Sequence, residues 1–265
     1  MARLKHPTAS LGADSPTAEL RASYLAQLVG PLDDMWLAFA DMATCHSLAL
    51  DGEVVGMCCV DDERRLLRFH VEPEASDHAG RLLELVLDEL GVEEMMVQTT
   101  DPGFLNAALD ASDEVTADTL LFAALSEPEG PGLDGLVLAG SQDHARVVDF
   151  QEAATGMPRA FLEPYASVRL ELDELLLFEE DEQLVAVGEL RRDQEQPGIA
   201  HLGVIVHAER RGRGVATRML AELVRRCRAE GLAAHCSTEL TNLGARRAIE
   251  RAGFQADHRV LRVKR

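Results

Sequence analysis

The sequence has no long apolar run and comparatively few basic residues. No hydrophobic stretch reaches the ~18 residues that a membrane-spanning helix needs. Arg3, Lys5 and His6 are not followed by the apolar segment of a secretory signal, so we expect a cytoplasmic protein without a membrane partner. The net charge of −20, from 26 basic and 46 acidic residues, argues against a nucleic-acid partner because phosphate backbones bind basic surfaces.

Cysteine is also scarce and shows no regular spacing. The chain has five cysteines, Cys45, Cys58, Cys59, Cys227 and Cys236. An odd number without a CxxC pair favours reduced thiols over a disulfide framework or a zinc site. Five histidines do not lie at ligand spacing with acids or thiols, so we also predict no metal; they are His70, His78, His144, His207 and His258.

The acidic residues are concentrated in the first half of the chain. Residues 1–135 hold 7 basic and 26 acidic residues, a net charge of −19, whereas residues 136–265 hold 19 and 20, a net charge of −1. An anionic ligand would therefore be repelled by the first half and tolerated by the second. A first half that is merely well solvated remains an equal alternative.

A segment rich in Pro and Gly, Ser126 to Gly132, lies at mid-chain and is typical of a linker. The sequences on its two sides resemble each other. The apolar strand that ends at Val71 matches one that ends at Val206, and Asn106 matches Asn242 at nearly the same offset. These matches indicate a tandem repeat. The predicted domains are 1–130 and 131–265.

Strand and helix patterns alternate in the second half, which indicates a mixed α/β fold. Ser141 is a good N-cap for a first helix, and Gly231 and Gly253 are placed to end the two later ones. The predicted strands are 136–139, 175–178, 184–187, 199–206 and 233–237, and the later helices are 215–228 and 242–252.

The most informative segment is Val204 to Thr217, where a strand leads into a glycine-rich turn that opens a helix. Gly212 and Gly214 let the backbone approach an anion closely. The first turn of a helix carries about four unpaired N–H groups and a partial positive charge, which suits a diphosphate. Arg211 and Arg213 add positive charge, and Thr217 adds a hydroxyl donor.

Two familiar nucleotide motifs do not explain this turn. The chain has no GxxxxGK[ST] run, and a GxGxxG fingerprint would need glycine where Thr217 stands. The run from Arg211 to Ala216 instead resembles the R/Q-x-x-G-x-G/A motif of GCN5-related N-acetyltransferases (GNAT). The segment Asn242 to Phe254 resembles that family's N-x-x-A-x-x-x-Y-x-x-x-G-F pattern.

The resemblance covers roughly residues 200–255 and implies an α/β (α+β) fold of two tandem GNAT-like domains. Each would be a mixed, mostly antiparallel sheet flanked by helices. It also implies acetyl-CoA as co-substrate, with no metal. The backbone of Val204, Ile205 and Val206 would pair with the pantetheine arm, and Asn242 would contact the cofactor further along. The residues implied for the pyrophosphate are Arg211, Gly212, Arg213, Gly214, Val215, Ala216 and Thr217.

The first half keeps this plan without the cofactor motif. After Val71 it lacks the paired glycines and the preceding arginine, and it carries Glu72, Glu74 and Asp77 where a phosphate would lie. We therefore interpret 1–130 as a degenerate GNAT-like domain that does not bind coenzyme A.

The catalytic groups are left open by the resemblance. The family often uses a Tyr seven residues after the Asn as general acid, but Ile249 stands there and has no proton to donate. His201, on the strand before the turn, could accept a proton, and Glu239 could face the cleft from the next strand. A structural buried histidine and a solvated loop acid are the alternatives, and Tyr165 is a further donor that could reach the acceptor from a loop.

The expected function is transfer of an acetyl group from acetyl-CoA to a primary amine of a small molecule or peptide. The acidic first half favours a cationic acceptor. The alternative is a non-catalytic acyl-CoA-binding or regulatory protein, which the apolar Ile249 favours. The sequence allows a monomer or a homodimer.

Overall fold

The computed structural model describes residues 7–12 and 16–265, which form two compact units. The first consists of the described residues up to Leu120 together with His258–Arg265, and the second is Leu121–Asp257. The sequence-based boundary at residue 130 stays a prediction. Arg3, Lys5 and His6, on which the expectation of no secretory signal rests, lie outside the described residues. Among the described helices, none is long and apolar enough to cross a membrane.

The first unit contains a sheet with helices placed between its strands in the sequence. Its elements are β1 (Ala9–Gly12), α1 (Ala18–Ala26), α2 (Asp34–Met42), β2 (Thr44–Leu50), β3 (Glu53–Val60), β4 (Arg65–Val71), α3 (Ala79–Glu89), β5 (Glu94–Gln98), α4 (Pro102–Asp110) and most of β6 (Glu114–Ala123). The strands β1 to β5 are neighbours in chain order, antiparallel except for the parallel pair β4–β5.

The second unit repeats this order of elements. They are β7 (Val137–Leu138), α5 (His144–Thr155), α6 (Arg159–Glu171), β8 (Leu175–Glu180), β9 (Gln183–Arg192), β10 (Ile199–Val206), α7 (Val215–Ala229), β11 (Ala233–Glu239), α8 (Leu243–Arg251) and the start of β12 (Gln255–Lys264). The strands β7 to β11 again lie in chain order, and only β10 and β11 are parallel. The predicted tandem of mixed, mostly antiparallel α/β domains is therefore confirmed.

The end of β12 belongs to the first unit. Residues from His258 onwards count with it, and Val260 to Lys264 pair antiparallel with β5. This pairing joins residues that are far apart in the sequence, and no local pattern indicated it.

The structure confirms one anchor of the predicted repeat and corrects the other. Val71 and Val206 end the corresponding strands β4 and β10. Asn106, however, lies inside α4, whereas Asn242 is the N-cap of α8. The residue of the first unit that corresponds to Asn242 is Asp101, because it is the N-cap of α4.

The predicted role of Ser141 as a helix N-cap is wrong. Ser141 begins a short 3-10 helix, and α5 starts only at His144. The Asp143 carboxylate accepts the backbone N–H of Gly140 at 2.9 Å, which closes this tight turn before the α-helix begins.

Helix α7 packs closely on β9 because Gly188 has no side chain. A Cβ atom at Gly188 would lie 2.9 Å from Met219 Sδ and 3.3 Å from Leu223 Cδ1. Both side chains are fully buried on the apolar face of α7. This close contact sets the distance between α7 and β9.

Two cysteines form a disulfide, which corrects the expectation that all thiols are reduced. Cys45 and Cys59 are bonded and lie directly opposite each other on the antiparallel strands β2 and β3. Their sequence separation of 14 carries no motif, so only the strand register revealed the pair. The other three cysteines, Cys58, Cys227 and Cys236, are buried and do not take part in this disulfide.

Candidate active site

The strand β10 loses one of its two partners halfway along. It pairs parallel with β11 from Ile199 to His201, whereas its antiparallel pairing with β9 continues to Val206. Residues 204–206 therefore keep only one partner among the described strands. Such an opening leaves backbone N–H and C=O groups able to bind an extended ligand.

The turn between β10 and α7 leaves the start of α7 uncapped. Gly212 and Gly214 adopt left-handed conformations, with φ of 76° and 77°. Gly214 is the N-cap residue, and no side chain accepts the first N–H groups of α7. A Cβ atom at either glycine would have no described atom within 4 Å. The turn thus presents unpaired N–H groups to open space, and these favour an anion.

Two predicted side chains of this turn are already bound within the unit. The Arg211 guanidinium donates from Nε to Val206 O at 3.1 Å and from Nη2 to Ala154 O at 2.9 Å. The Thr217 hydroxyl donates to Ala248 O at 3.3 Å. Arg211 therefore ties the turn to the end of α5, and Thr217 ties α7 to α8.

A cavity of about 650 Å³ lies in front of the turn. Four arginines line it and, among its described lining residues, there is no carboxylate. Apart from Arg213, every residue that the resemblance implied for the cofactor lines it. These residues are Val204, Ile205, Val206, Arg211, Gly212, Gly214, Val215, Ala216, Thr217 and Asn242. A positively charged cavity at an uncapped helix start fits a diphosphate-containing ligand.

His201 lies buried on β10, three residues before the cavity-lining Val204. Its Nε2 is 2.9 Å from Asp193 Oδ2, and both side chains are buried. Burial tends to raise the pKa of Asp193. Hydrogen bonds from His201 and from the backbone N–H groups of Glu195 and Gln196 outweigh burial and hold the pKa below its ordinary value. The carboxylate is thus kept ionised beside the imidazole.

Sequence reasoning missed two residues of the second unit that lie next to His201. Asp193 follows β9 and reaches His201 around the turn that precedes β10. His235 pairs with His201 in the β10–β11 register, and the two ring centroids are 6.4 Å apart. Histidine at matching positions of two successive strands was visible in the sequence, but the register was not.

Glu239 does not lie beside His201. It is an exposed residue at the end of β11, four residues beyond His235, which corresponds to about 13 Å along a strand. Its Oε2 accepts a long hydrogen bond, at 3.5 Å, from the Thr241 hydroxyl. The structure thus separates the two predicted catalytic residues.

Two further positions considered for the general acid do not supply a readily released proton. Ile249 is buried, with 5% of its surface exposed, at the position where the family often has Tyr. Tyr165 lies inside helix α6 rather than on the expected loop, and its hydroxyl donates to Glu189 Oε2 at 2.8 Å. Burial, reinforced by the Glu189 carboxylate, raises the pKa of Tyr165 well above its ordinary value. Tyr165 therefore holds its proton tightly.

The corresponding turn of the first unit is built differently. After β4 the chain forms a short 3-10 helix from Pro73 to His78, and α3 follows without a glycine turn. Glu72 stands at its start, where its carboxylate accepts a hydrogen bond from the Ser23 hydroxyl. A carboxylate at this place opposes an anionic ligand.

Comparisons with known proteins agree with this geometry. Residues 15–124 match a family model described as an acetyltransferase (GNAT) domain. Residues 145–254 match a second one, described as the acetyltransferase (GNAT) family. No curated protein sequence matches the chain significantly.

Solved structures extend the likeness to the full length. An acetyltransferase of the GNAT family from Colwellia psychrerythraea has 29% sequence identity and a TM-score of 0.91, with 96% of this chain and 99% of that chain covered. A GCN5-related N-acetyltransferase from Sphaerobacter thermophilus has 18% identity and a TM-score of 0.66, over 97% and 95% of the two chains.

A tandem GNAT protein from the clavulanic acid biosynthesis pathway has 15% identity and a TM-score of 0.60, over 96% of this chain and 97% of that chain. At identities below 25%, this structure and that from Sphaerobacter support the fold alone. With both halves matched by family models, the chain belongs to the GNAT acetyltransferase family and carries two of its domains in tandem.

Proposed function

We propose that the second unit binds acetyl-CoA and transfers its acetyl group to a primary amine of a small molecule or peptide. The main support is the cavity at the start of α7, which is lined by four arginines and no carboxylate among the described residues. The uncapped N–H groups of the turn suit the pyrophosphate. The unpartnered edge of residues 204–206 suits the amide groups of the pantetheine arm. The thioester supplies the acetyl group.

The turn carries the cofactor mainly through its backbone. Gly212 and Gly214 are the only residues there whose lack of a side chain is required, since both have positive φ. Arg213 is exposed beside them and adds positive charge. The other proposed contacts come from Val204, Ile205, Val206, Arg211, Val215, Ala216, Thr217 and Asn242.

Acyl transfer to an amine also requires a proton acceptor. We assign this role to His201, with Asp193 as a positioning residue that orients the imidazole through their hydrogen bond. Two observations support this assignment. His201 is hydrogen-bonded to Asp193, and it lies three residues before Val204, which lines the cavity. Glu239 stays a weaker candidate because it is exposed and far from this pair.

The cofactor proposal is tested by Gly214→Glu, which places a carboxylate and a side chain at the helix start. We expect calorimetric binding of acetyl-CoA to be lost. The matched control is Gly198→Glu, because Gly198 also has positive φ, of 88°, and open space around it, but does not line the cavity. Equal binding by the two variants would contradict the proposal.

The catalytic assignment is tested by His201→Gln, with thiol release from acetyl-CoA measured against a panel of amines. We expect kcat to fall by about 100-fold, while the Kd of acetyl-CoA changes less than twofold. The acidic limb of the pH–rate profile should flatten in this variant. An unchanged profile with a reduced rate would indicate a structural role only.

The acceptor is proposed to be cationic. The first half of the chain carries a net charge of −19, and such a field raises the local concentration of polyamines, aminoglycosides or basic peptides. The same amine panel tests this proposal. Turnover confined to neutral or acidic amines would exclude it.

A cytoplasmic location and a monomeric or homodimeric state stay predictions.

One observation favours a second function, the non-catalytic binding of acyl-CoA. The position often occupied by a tyrosine is the buried, apolar Ile249. Tight binding of acetyl-CoA without thiol release on any amine would support this alternative.

A further inference from the structure

Two arginines form one wall of the cavity on helix α8. Arg247 and Arg251 both line it, and both are exposed. They are four residues apart, so their side chains lie on the same face of the helix, one turn from each other. Such a pair can hold one anionic group between two guanidinium ions.

Neither arginine is neutralised by a neighbour in the described part of the chain. No carboxylate there lies within ion-pair distance of Arg247 or Arg251. Arg246, on the next face of the same helix, pairs instead with Glu250 at 2.8 Å. The positive charge of Arg246 is therefore neutralised, whereas that of Arg247 and Arg251, on the cavity side of α8, is not.

The other two arginines of the cavity are engaged elsewhere. Arg210 lies 3.4 Å from Glu180, and Arg211 donates to the carbonyl groups of Val206 and Ala154. Among the described lining residues, Arg247 and Arg251 are thus the only arginines whose guanidinium groups are not already bonded to a neighbouring group.

The two arginines stand beside the proposed pyrophosphate position. The Thr217 hydroxyl, in the first turn of α7, donates to Ala248 O, and Ala248 directly follows Arg247. Coenzyme A carries three phosphate groups, two in its pyrophosphate and one as a monoester on the ribose. The third is a separate dianion close to the other two.

We infer that Arg247 and Arg251 bind the ribose 3′-phosphate and make the site selective for coenzyme A over its dephospho form. This inference rests on the proposed function. Two guanidinium groups match the two charges of a phosphate monoester, whereas the uncapped start of α7 serves the pyrophosphate.

The experiment is calorimetric titration with coenzyme A and with dephospho-coenzyme A. We expect the wild-type protein to prefer coenzyme A by at least about tenfold, as for a charged hydrogen bond. In Arg247→Gln/Arg251→Gln the preference should fall close to one, with the affinity for the dephospho form unchanged. Raising the salt concentration should weaken the wild-type preference.

The control is Arg246→Gln, which removes the same charge from the same helix but from the face paired with Glu250. It should keep the wild-type preference. A preference that survives in the double variant, or that is absent in the wild type, overturns the inference. Wild-type protein that binds neither molecule overturns the cofactor proposal as well. Preference without acetyl transfer to any amine supports this inference and contradicts only the catalytic proposal.

Discussion

Asp101 and Asn242 show how burial separates two residues with the same local role. Each caps the helix that follows the parallel strand of its unit: Asp101 Oδ1 accepts the N–H of Phe104 at 3.0 Å, and Asn242 Oδ1 that of Ala245 at 3.1 Å. Asn242 is exposed, whereas Asp101 is only 6% exposed. Burial raises the pKa of Asp101 to about 6, although the N–H of Phe104 acts in the opposite direction.

This raised pKa predicts a pH-dependent stability. The folded state holds the Asp101 proton more tightly than the unfolded state, so its contribution is complete below about pH 4 and is lost as the pH rises through about 6. We expect Asp101→Asn, which keeps the cap, to raise the free energy of unfolding at pH 7 by ~3 kcal/mol. At pH 4 it should change little.

Urea denaturation at the two pH values measures this difference. The control is Asn242→Asp, the reverse exchange at the exposed cap, which should leave stability nearly unchanged at both. A larger effect of Asp101→Asn at pH 4 than at pH 7 would contradict the assignment.

For His201, the sequence predicted the residue itself but not its hydrogen-bond partner Asp193. Its position before the glycine turn made it a candidate base. Asp193 was missed because its hydrogen bond to His201 crosses a turn, and because the burial of both side chains follows from packing. Whether His201 is catalytic stays a prediction.

Elements of the second unit were easier to predict, since their patterns are local. The strand 199–206 was predicted with the bounds that the structure gives, and α7 extends one residue beyond its predicted end. Apolar residues along one stripe and glycines at both ends determine such bounds. The 3-10 helix that begins at Ser141 was missed. It is closed by the Asp143 carboxylate, which accepts the N–H of Gly140, so Ser141 does not act as the N-cap of α5.

The contact between α7 and β9 predicts a steric effect at Gly188. Gly188→Val would push a side chain into the buried Met219, and such overpacking costs about 1–3 kcal/mol of unfolding free energy. Chemical denaturation measures the loss. In a double-mutant cycle, the substitution should cost less in a Met219→Ala background, because the obstructing sulfur is absent. Additive effects would show that the strain lies elsewhere.

At the scale of the molecule, the two units differ in how they are crosslinked. Both cysteines of the disulfide lie in the first unit, and the cavity lies in the second. The disulfide joins residues with a sequence separation of 14. Closing a loop of this length restricts the unfolded chain and stabilises the folded state by about 3 kcal/mol.

We therefore expect Cys45→Ser/Cys59→Ser to destabilise the first unit by ~2–3 kcal/mol. The single tryptophan, Trp36, lies on α2 of that unit, so its fluorescence reports the transition selectively. Acetyl-CoA affinity should stay within twofold of wild type at low denaturant. An unchanged Trp36 midpoint would contradict the prediction.

The sequence by itself determined the tandem α/β plan, the glycine turn and the helix that follows it. These features follow from apolar periodicity and from glycines that adopt positive φ, which are properties of neighbouring residues. Four features were decided by the tertiary structure alone. They are the Cys45–Cys59 bond, the His201–Asp193 hydrogen bond, the pairing of β12 with β5, and the lack of an ion pair at Arg247 and Arg251 among the described residues. Each of these depends on strand register or packing between distant segments, which no local spacing encodes.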